Sequence, residues 1–238
     1  MKTDKDSNIG MKNPQLVHVE EPAQPIRIEP RWPVALAILA VVLMLALLPG
    51  RLTLFPTWFP YVIGIVVFAP MVAVKLTAAK ARWLRVERTI TLLFFVLMGV
   101  GTLANLANLV RAMVGRSAEI GGLQLFMSSI AVWVTNVLTF SLLYWQIDRG
   151  GPESRANTGG TRPDWLFPQA GAGEDVPLDW RPTFVDYLFL GFSTATAFSP
   201  TDALPLTSRA KMLMMLESTI SLTTIVVVAA RAVNLLGS

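Results

Sequence analysis

The stretch FVDYLFLGFSTATAF, residues 184–198, decides the fold of this 238-residue chain. It is apolar, but it is shorter than the roughly 20 residues that a helix needs to cross a bilayer, and it contains Asp186 and several hydroxyls. Apolar runs of this length are typical of re-entrant, interfacial or buried helices. We therefore predict a re-entrant half-helix over 182–198, a polar turn over 199–205 and a helix over 211–236.

Working outward, five longer apolar runs predict transmembrane helices. The five runs are Val34–Leu48, Trp58–Val74, Thr89–Val114, Leu123–Ile147 and Met212–Ala230. The composition agrees, because only 15% of the residues are charged whereas a soluble domain is about one quarter charged. We expect an all-α integral membrane protein with about five transmembrane helices and the half-helix before the last of them.

The same pattern divides the chain into three parts. These are a polar, disordered N-terminal tail over 1–31, three transmembrane helices over 32–120 and a C-terminal module over 121–238. The module has an outer helix over 123–147, a loop rich in Gly and Pro over 148–181, then the half-helix, the polar turn and the inner helix already described. This order is the plan of an ion-channel pore module, in which re-entrant backbone is covered by protein or touches water.

The residue inventory excludes most enzyme chemistry. The chain has no Cys, and its one His, His18, lies in the polar tail. We expect no catalytic residues, no metal site, no cofactor and no enzymatic activity. The net charge of +4 is typical of membrane proteins with basic cytoplasmic loops. The sequence has no basic stripe with interleaved aromatic residues, so we do not expect it to bind nucleic acid.

The segment YLFLGFSTATAFSPTDALPLTSRAKMLMMLES, residues 187–218, resembles the pore segment of two-transmembrane potassium channels. Together with NVLTFSLLYWQIDRGGP, residues 136–152, it is more closely similar to an uncharacterised bacterial membrane protein family whose C-terminal half resembles that pore. The resemblance covers roughly residues 121–236. It implies a homo-oligomer, a tetramer if a pore forms, and permeation by monovalent cations.

Asp202 fixes the register of this resemblance, in which the turn becomes a filter-like segment, TAFSPTD. Against the motif Thr-Thr-X-Gly-Tyr-Gly-Asp, the chain places Thr196, Ala197, Phe198, Ser199, Pro200, Thr201 and Asp202. Proline fixes φ near about −65° and the glycines are absent, so we do not expect a potassium filter made of backbone carbonyls.

Hydroxyl groups are the better candidates for contact with ions in this segment. The candidates are Thr194, Thr196, Ser199 and Thr201, with Asp202 at the mouth. Two plainer interpretations remain open. Hydroxyls in a half-helix often satisfy nearby backbone, and residues 199–202 could form a tight turn in which Asp202 caps the approach to the next helix.

Several polar side chains fall inside the predicted spans. They are Asn105, Asn108, Arg111, Asn136, Glu217 and Arg231. The asparagines predict interhelical hydrogen bonds, and Arg231 predicts a side chain that reaches the membrane interface. Glu217 predicts either a role in permeation or a structural bond to the back of the half-helix, with the hydroxyls of Ser193 or Thr194 as its partners.

Basic residues predict the orientation in a cell membrane, inner or plasma. The loop 75–88 is the most basic one, which places that loop and the N-terminus in the cytoplasm. The half-helix then also enters from the cytoplasm, whereas in potassium channels it enters from outside. Three functions stay open: a cation channel with non-standard selectivity, a non-conducting scaffold or partner-binding protein, and a proton-coupled transporter that uses Glu217.

Overall fold

The structure, a computed structural model, describes residues 29–47, 81–114, 122–156, 162–177, 180–196 and 203–236, with isolated positions between 58 and 72. This part of the chain is mostly helical. Its α-helices are α1, Trp32–Leu47; α2, Ala81–Val114; α3, Gly122–Ile147; α4, Pro152–Ala156; α5, Phe184–Thr196; and α6, Ser208–Leu236.

Three of the described helices are long and apolar enough to cross a membrane. The qualifying stretches are Arg88–Asn108 in α2, Phe126–Gly150 at and beyond α3, and Ser208–Ala230 in α6. The expected helical architecture is confirmed for the described residues, and these three helices fit a membrane protein by length and composition, although their number differs from the five spans predicted. Helix α1 has 16 residues, below the length required, and the predicted span Trp58–Val74 lies mostly outside the described residues.

Helix α3 is at the centre of the bundle and packs against α1, α2, α5 and α6. Its buried residues point in all directions around the helix and include Val132, Asn136, Phe140, Leu142 and Tyr144. A helix buried on every side belongs to the interior of an assembly. Helix α3 is therefore the scaffold on which the other helices are arranged.

Helix α5 lies within the predicted half-helix over 182–198 and begins two residues later than expected. It begins after Thr183, because the carboxylate of Asp186 accepts hydrogen bonds from the Thr183 backbone N–H at 2.7 Å and the Thr183 hydroxyl at 2.8 Å. A carboxylate three residues into a helix that reaches back to the residue before it is a capping box. At 1.5 Å per residue, the 13 residues span about 20 Å, less than the 30 Å of a bilayer core.

Helix α6 begins at Ser208, three residues before the predicted start at Lys211. The hydroxyl of Thr207 accepts a hydrogen bond from the backbone N–H of Ala210 at 3.2 Å. Thr207 is thus the N-cap, and it starts the helix earlier than the apolar pattern indicates.

The described residues of the loop over 148–181 form local structure around Trp165. Its strand β1, Trp165–Leu166, pairs antiparallel with strand β2, Leu204–Pro205, which lies within the predicted polar turn. Trp165 is fully buried and its ring lies 4.8 Å from that of Tyr144. These contacts fold the loop onto the end of the bundle and attach it to the chain just before α6.

Candidate functional site

A buried carboxylate lies where α3 ends and supports the first turns of α5. The chain leaves α3 through Gly150 and Gly151, whose φ angles of 79° and 104° favour glycine. Asp148 is fully buried and accepts hydrogen bonds from the Tyr187 hydroxyl at 2.5 Å and the Asp164 backbone N–H at 2.7 Å. Burial raises the pKa of Tyr187 well above its ordinary value, so its phenol remains a hydrogen-bond donor to Asp148.

A second buried carboxylate, Asp164, holds the start of α6. It accepts hydrogen bonds from the Thr207 hydroxyl at 2.6 Å and from Nε of Arg209 at 2.6 Å, and Nη2 of Arg209 also donates to it. Its own carbonyl accepts from the backbone N–H of Leu206 at 2.8 Å. A carboxylate held by both arms of a guanidinium has a fixed orientation, so this pair sets the direction in which α6 leaves the loop.

Arg155 connects four segments of the chain through one buried guanidinium. Its Nη1 donates to the carbonyls of Trp145 at 2.7 Å and Asp148 at 2.9 Å, at the end of α3. Its Nε and Nη2 donate to Glu29 at 3.1 and 3.2 Å, and Trp145 Nε1 donates to the same carboxylate at 2.9 Å. The guanidinium carbon also lies 5.0 Å from the ring centroid of Tyr187, a cation–π contact with α5.

These groups form one connected network, which we call the polar platform. Its members are Glu29, Asp148, Arg155, Asp164, Tyr187 and Arg209. The platform joins the residues before α1, the end of α3, the first turns of α5 and the start of α6. It therefore fixes α5 at its N-terminal half, on one end of the helical bundle.

Glu217 lies deeper in α6 and is the second polar centre. It is fully buried, and its Oε2 accepts a hydrogen bond from the Tyr144 hydroxyl of α3 at 2.5 Å. The amide nitrogen of Asn136 donates to the Glu217 backbone carbonyl at 3.2 Å and to the Ser221 hydroxyl at 2.9 Å. Asn136 thus makes the interhelical bond expected of a polar residue in a span.

The partner of Glu217 differs from the sequence-based expectation. The expected partners were the hydroxyls of Ser193 or Thr194 in the half-helix, but the carboxyl group is bonded to Tyr144 of α3. The neighbouring Ser218 makes the contact with α5 instead, donating to the Thr194 backbone carbonyl at 3.1 Å.

Gly191 is the point at which α5 approaches α3 and α6 most tightly. A Cβ atom there would lie 2.3 Å from the Ser141 hydroxyl oxygen, 3.3 Å from Oε1 of Glu217 and 3.3 Å from the Val137 carbonyl oxygen. A real Cβ does not approach another heavy atom to 2.3 Å, so any larger residue here would force the Ser141 side chain to move. Oε1 of Glu217 has no hydrogen-bond partner, although it is buried.

The hydroxyls at the end of α5 have two different environments. Thr194 is buried and its Oγ1 has no hydrogen-bond partner, whereas Oγ1 of Thr196 donates to the carbonyls of Phe192 and Ser193 at 3.1 Å each. Thr196 therefore satisfies nearby backbone, as in the plainer interpretation of this stretch. The remaining filter-like residues, Ala197, Phe198, Ser199, Pro200, Thr201 and Asp202, lie outside the described residues.

Of the other predicted polar residues, the structure describes the side chains of Asn108 and Arg111. Asn108 is half-buried on α2, and Arg111 is exposed near the end of that helix. The side chains of Asn105 and Arg231 lie outside the described part of the chain. The structure thus gathers only Asn136 and Glu217 from this group into one contact.

Sequence reasoning missed the polar platform and the partner of Glu217 because the bonded residues are far apart in the chain. Glu29 and Arg155 are separated by 126 residues, and Tyr144 and Glu217 by 73. Asp148 lies in the segment Asp-Arg-Gly-Gly-Pro, which reads as a turn signal and so hides a buried carboxylate. The sequence shows the charged residues themselves but not their partners. Because buried carboxylates are rare unless they are paired, only their burial reveals that a partner is needed.

The described residues contain no group of three or more His, Asp or Glu placed to hold a metal ion. Comparison of the chain with protein-family models, with curated proteins and with solved structures gives no match. Function must therefore be argued from the arrangement of α3, α5 and α6 and from the two polar centres between them.

Proposed function

We propose that this protein forms a channel-like pore for cations in a cell membrane, with a selectivity unlike that of potassium channels. The observation that carries the proposal is α5, a helix of 13 residues packed between α3 and α6, both long enough to span a bilayer. A helix too short to cross the membrane ends at membrane depth. Non-helical backbone is tolerated there only where protein covers it or water reaches it.

The direction of α5 favours cations over anions. Its N-terminal half is attached to the polar platform, so its C-terminal end, Thr196, points away from the platform. The C-terminal end of a helix carries about −0.5 elementary charge, and the filter-like segment with Asp202 follows directly. The partial negative charge at the end of α5 would attract a positive ion.

One half-helix per chain does not enclose a pore, so the proposal includes a homo-oligomer with four copies as the expected number. The outward faces of α5 and α6 are apolar, with exposed residues that include Val185, Phe189, Phe192, Met215 and Leu222. These faces can contact lipid or neighbouring copies, and a closed ring would cover the end of α5. The mass of the purified protein in detergent tests this part, and a monomer would contradict it.

The ends of the helices also suggest an orientation. The platform brings the residue before α1 next to the end of α3 and the starts of α5 and α6, so these ends lie on one face. That face carries Arg149, Arg155, Arg162, Arg181 and Arg209, which favours the cytoplasm by the positive-inside rule. In the proposed topology of five spans, α5 enters from the cytoplasm, opposite to the potassium channels that the segment resembles.

The absence of cysteine makes this orientation directly testable. Single cysteines at Arg162, which is exposed beside the platform, and at Arg111, near the end of α2, provide the two probes. In intact cells a membrane-impermeant maleimide should label R111C, whereas R162C should react only after permeabilisation. The reverse pattern would overturn the orientation and leave the pore proposal standing.

Flux of K⁺ and Na⁺ into liposomes that contain the purified protein tests the pore itself. We expect flux of both ions, abolished by Thr196→Trp at the end of α5 and reduced by Asp202→Ala. Leu93→Trp is the matched control, because Leu93 is 64% exposed on α2 and the bulky ring there should leave flux unchanged. Absence of flux in several lipid compositions and pH values would favour the non-conducting scaffold. A flux that requires a proton gradient would favour the transporter.

A further inference from the structure

Glu217 is a buried carboxyl group without a counter-charge among the described residues. Its exposure is 0%, and its hydrogen-bond partner is a neutral phenol, the hydroxyl of Tyr144. In the described part of the chain no Lys or Arg forms an ion pair with it. The other buried carboxylates, Asp148 and Asp164, differ because each has a guanidinium within 4 Å.

Polar groups of α3 lie near the Glu217 carboxyl of α6, and α5 approaches it with its backbone at Gly191. Helix α3 contributes the hydroxyls of Tyr144 and Ser141 and the Val137 carbonyl, and α5 contributes only the backbone at Gly191. Three oxygens, one of them the unpartnered Oε1 of Glu217, lie within 3.3 Å of the position that a Cβ of residue 191 would occupy. Hard oxygen donors are the ligands that small cations prefer.

Charged residues on the neighbouring elements are directed elsewhere. On α6 itself, Arg209 donates to Asp164 and Lys211 is exposed. On α2, Arg88 and Arg111 are exposed near the two ends of the apolar stretch. On α5, Asp186 caps the helix, and Tyr187 donates to Asp148 on the platform. Tyr144 is thus the one titratable group among the described residues that contacts the Glu217 carboxyl.

An ionised carboxylate cannot be left in this environment without a counter-charge. The effective penalty for burying one ion is several kcal/mol even after relaxation, and one neutral donor offsets about 1.5–3 kcal/mol of it. We propose that Glu217 is a binding site for one small monovalent cation, either a proton or an alkali metal ion, held between α3, α5 and α6. The site lies at Gly191, on the side of α5 that faces α3 and α6.

Occupancy of this site would control how tightly α6 packs on α5. A bound cation neutralises Glu217 and keeps the three helices together, whereas its loss leaves a negative charge opposite the Gly191 backbone and the Ser141 hydroxyl. Gly191 lies five residues, about 7.5 Å along the helix, before Thr196. Any effect on conduction rests on the proposed function, but the binding of the cation does not.

Infrared difference spectroscopy of the purified protein tests the binding directly. The spectrum of wild type minus Glu217→Gln isolates the signal of this one carboxyl group, since Gln keeps its size. The spectra are taken over a range of pH in Na⁺, in K⁺ and in a large organic cation. Glu153→Gln, at an exposed residue of α4, is the matched control and should leave the signal of the buried group in place.

Two outcomes support the proposal and identify the cation. A protonated-carboxyl band that disappears in Glu217→Gln and is the same in all three salts identifies a proton. A carboxylate band that shifts only when Na⁺ or K⁺ replaces the organic cation identifies an alkali ion. An ionised carboxylate at every pH, insensitive to the salt, would overturn the site.

A second variant keeps the test decisive if Glu217→Gln does not fold. Tyr144→Phe retains the carboxyl group and removes one hydrogen bond, so the band of Glu217 should shift rather than disappear. An unchanged spectrum in a folded Tyr144→Phe protein would contradict the geometry on which the site depends. Because these readouts need no ion flux, failure of the pore proposal and failure of the cation site are distinguishable.

Discussion

Replacement of Gly191 by alanine tests whether α5 is held as tightly as the structure indicates. The new Cβ would meet the Ser141 hydroxyl oxygen at 2.3 Å, so that side chain has to rotate and lose its hydrogen bond to the Val137 carbonyl, which is 2.7 Å long. The lost bond costs about 0.5–1.5 kcal/mol, and the contacts at 3.3 Å with Val137 and Glu217 add overpacking of about 1–3 kcal/mol. The higher helix propensity of alanine returns about 1 kcal/mol, so we expect a net loss of about 1–3 kcal/mol.

Thermal unfolding in detergent, followed by tryptophan fluorescence, measures this loss, because Trp165 and Trp145 are buried near α5. The unfolding midpoint of Gly191→Ala should fall by several degrees. Gly99→Ala is the matched control, since a Cβ at this position in α2 has no atom within 4 Å, and its midpoint should stay the same or rise.

The double variant Ser141→Ala/Gly191→Ala identifies the cause of the effect. Removing the Ser141 hydroxyl relieves the contact at 2.3 Å. Gly191→Ala should therefore cost at most half as much stability in the Ser141→Ala protein as it does in wild type. Equal midpoints for Gly191→Ala and Gly99→Ala would refute the close approach of α5 to α3 and α6.

The same unfolding assay tests the polar platform. Tyr187→Phe removes the 2.5 Å hydrogen bond to buried Asp148 and should lower the free energy of unfolding by about 1.5–3 kcal/mol. An unfolding midpoint like that of wild type would show that this bond does not hold α5. Asp164→Asn removes the carboxylate that pairs with Arg209, a side chain that is partly exposed to solvent. We expect a smaller loss of unfolding free energy, about 1–2 kcal/mol, which high salt reduces. A loss that does not depend on salt would contradict an ionic cause. Arg155→Lys keeps the charge but not the planar array of donors, and it should destabilise the protein as much as Arg155→Ala does, whereas full stability in the Lys variant would show that charge alone suffices.

The short helix was predictable because the length of its apolar run is below the thickness of a bilayer core. An apolar run between two polar segments, about 20 Å long, is too short for a bilayer wherever it lies, and Thr183 and Asp186 form a recognisable cap. The predicted start of this helix was wrong by two residues and that of α6 by three, because hydrogen bonds of Thr183 and Thr207 set the helix starts. Apolar periodicity does not report these caps.

The contacts of the candidate site were not predictable in the same way. Glu217 could be singled out because a charge inside a span is rare, but nothing local to the sequence indicates that its partner is Tyr144. Tyr144 follows the apolar pattern of α3 like any aromatic residue near a membrane interface. The pairing depends on the relative rotation of α3 and α6, which the spacing of residues within either helix does not determine.

The two polar centres restrain α5 unequally, and this difference predicts where the helix can move. Its N-terminal half is held by the capping carboxylate of Asp186, by the bond from Tyr187 to Asp148 and by the guanidinium of Arg155. Beyond Gly191, in the part of α5 that the structure describes, the hydrogen bond from Ser218 to the Thr194 carbonyl links α5 to α6. Changes at the platform should therefore act mainly on stability, whereas changes at Glu217 or Ser218 should act mainly on the position of the end of α5. Ser218→Ala removes this bond and should alter ion flux while leaving the unfolding midpoint nearly unchanged. Unchanged flux with a lower midpoint would mean that packing alone fixes the end of α5.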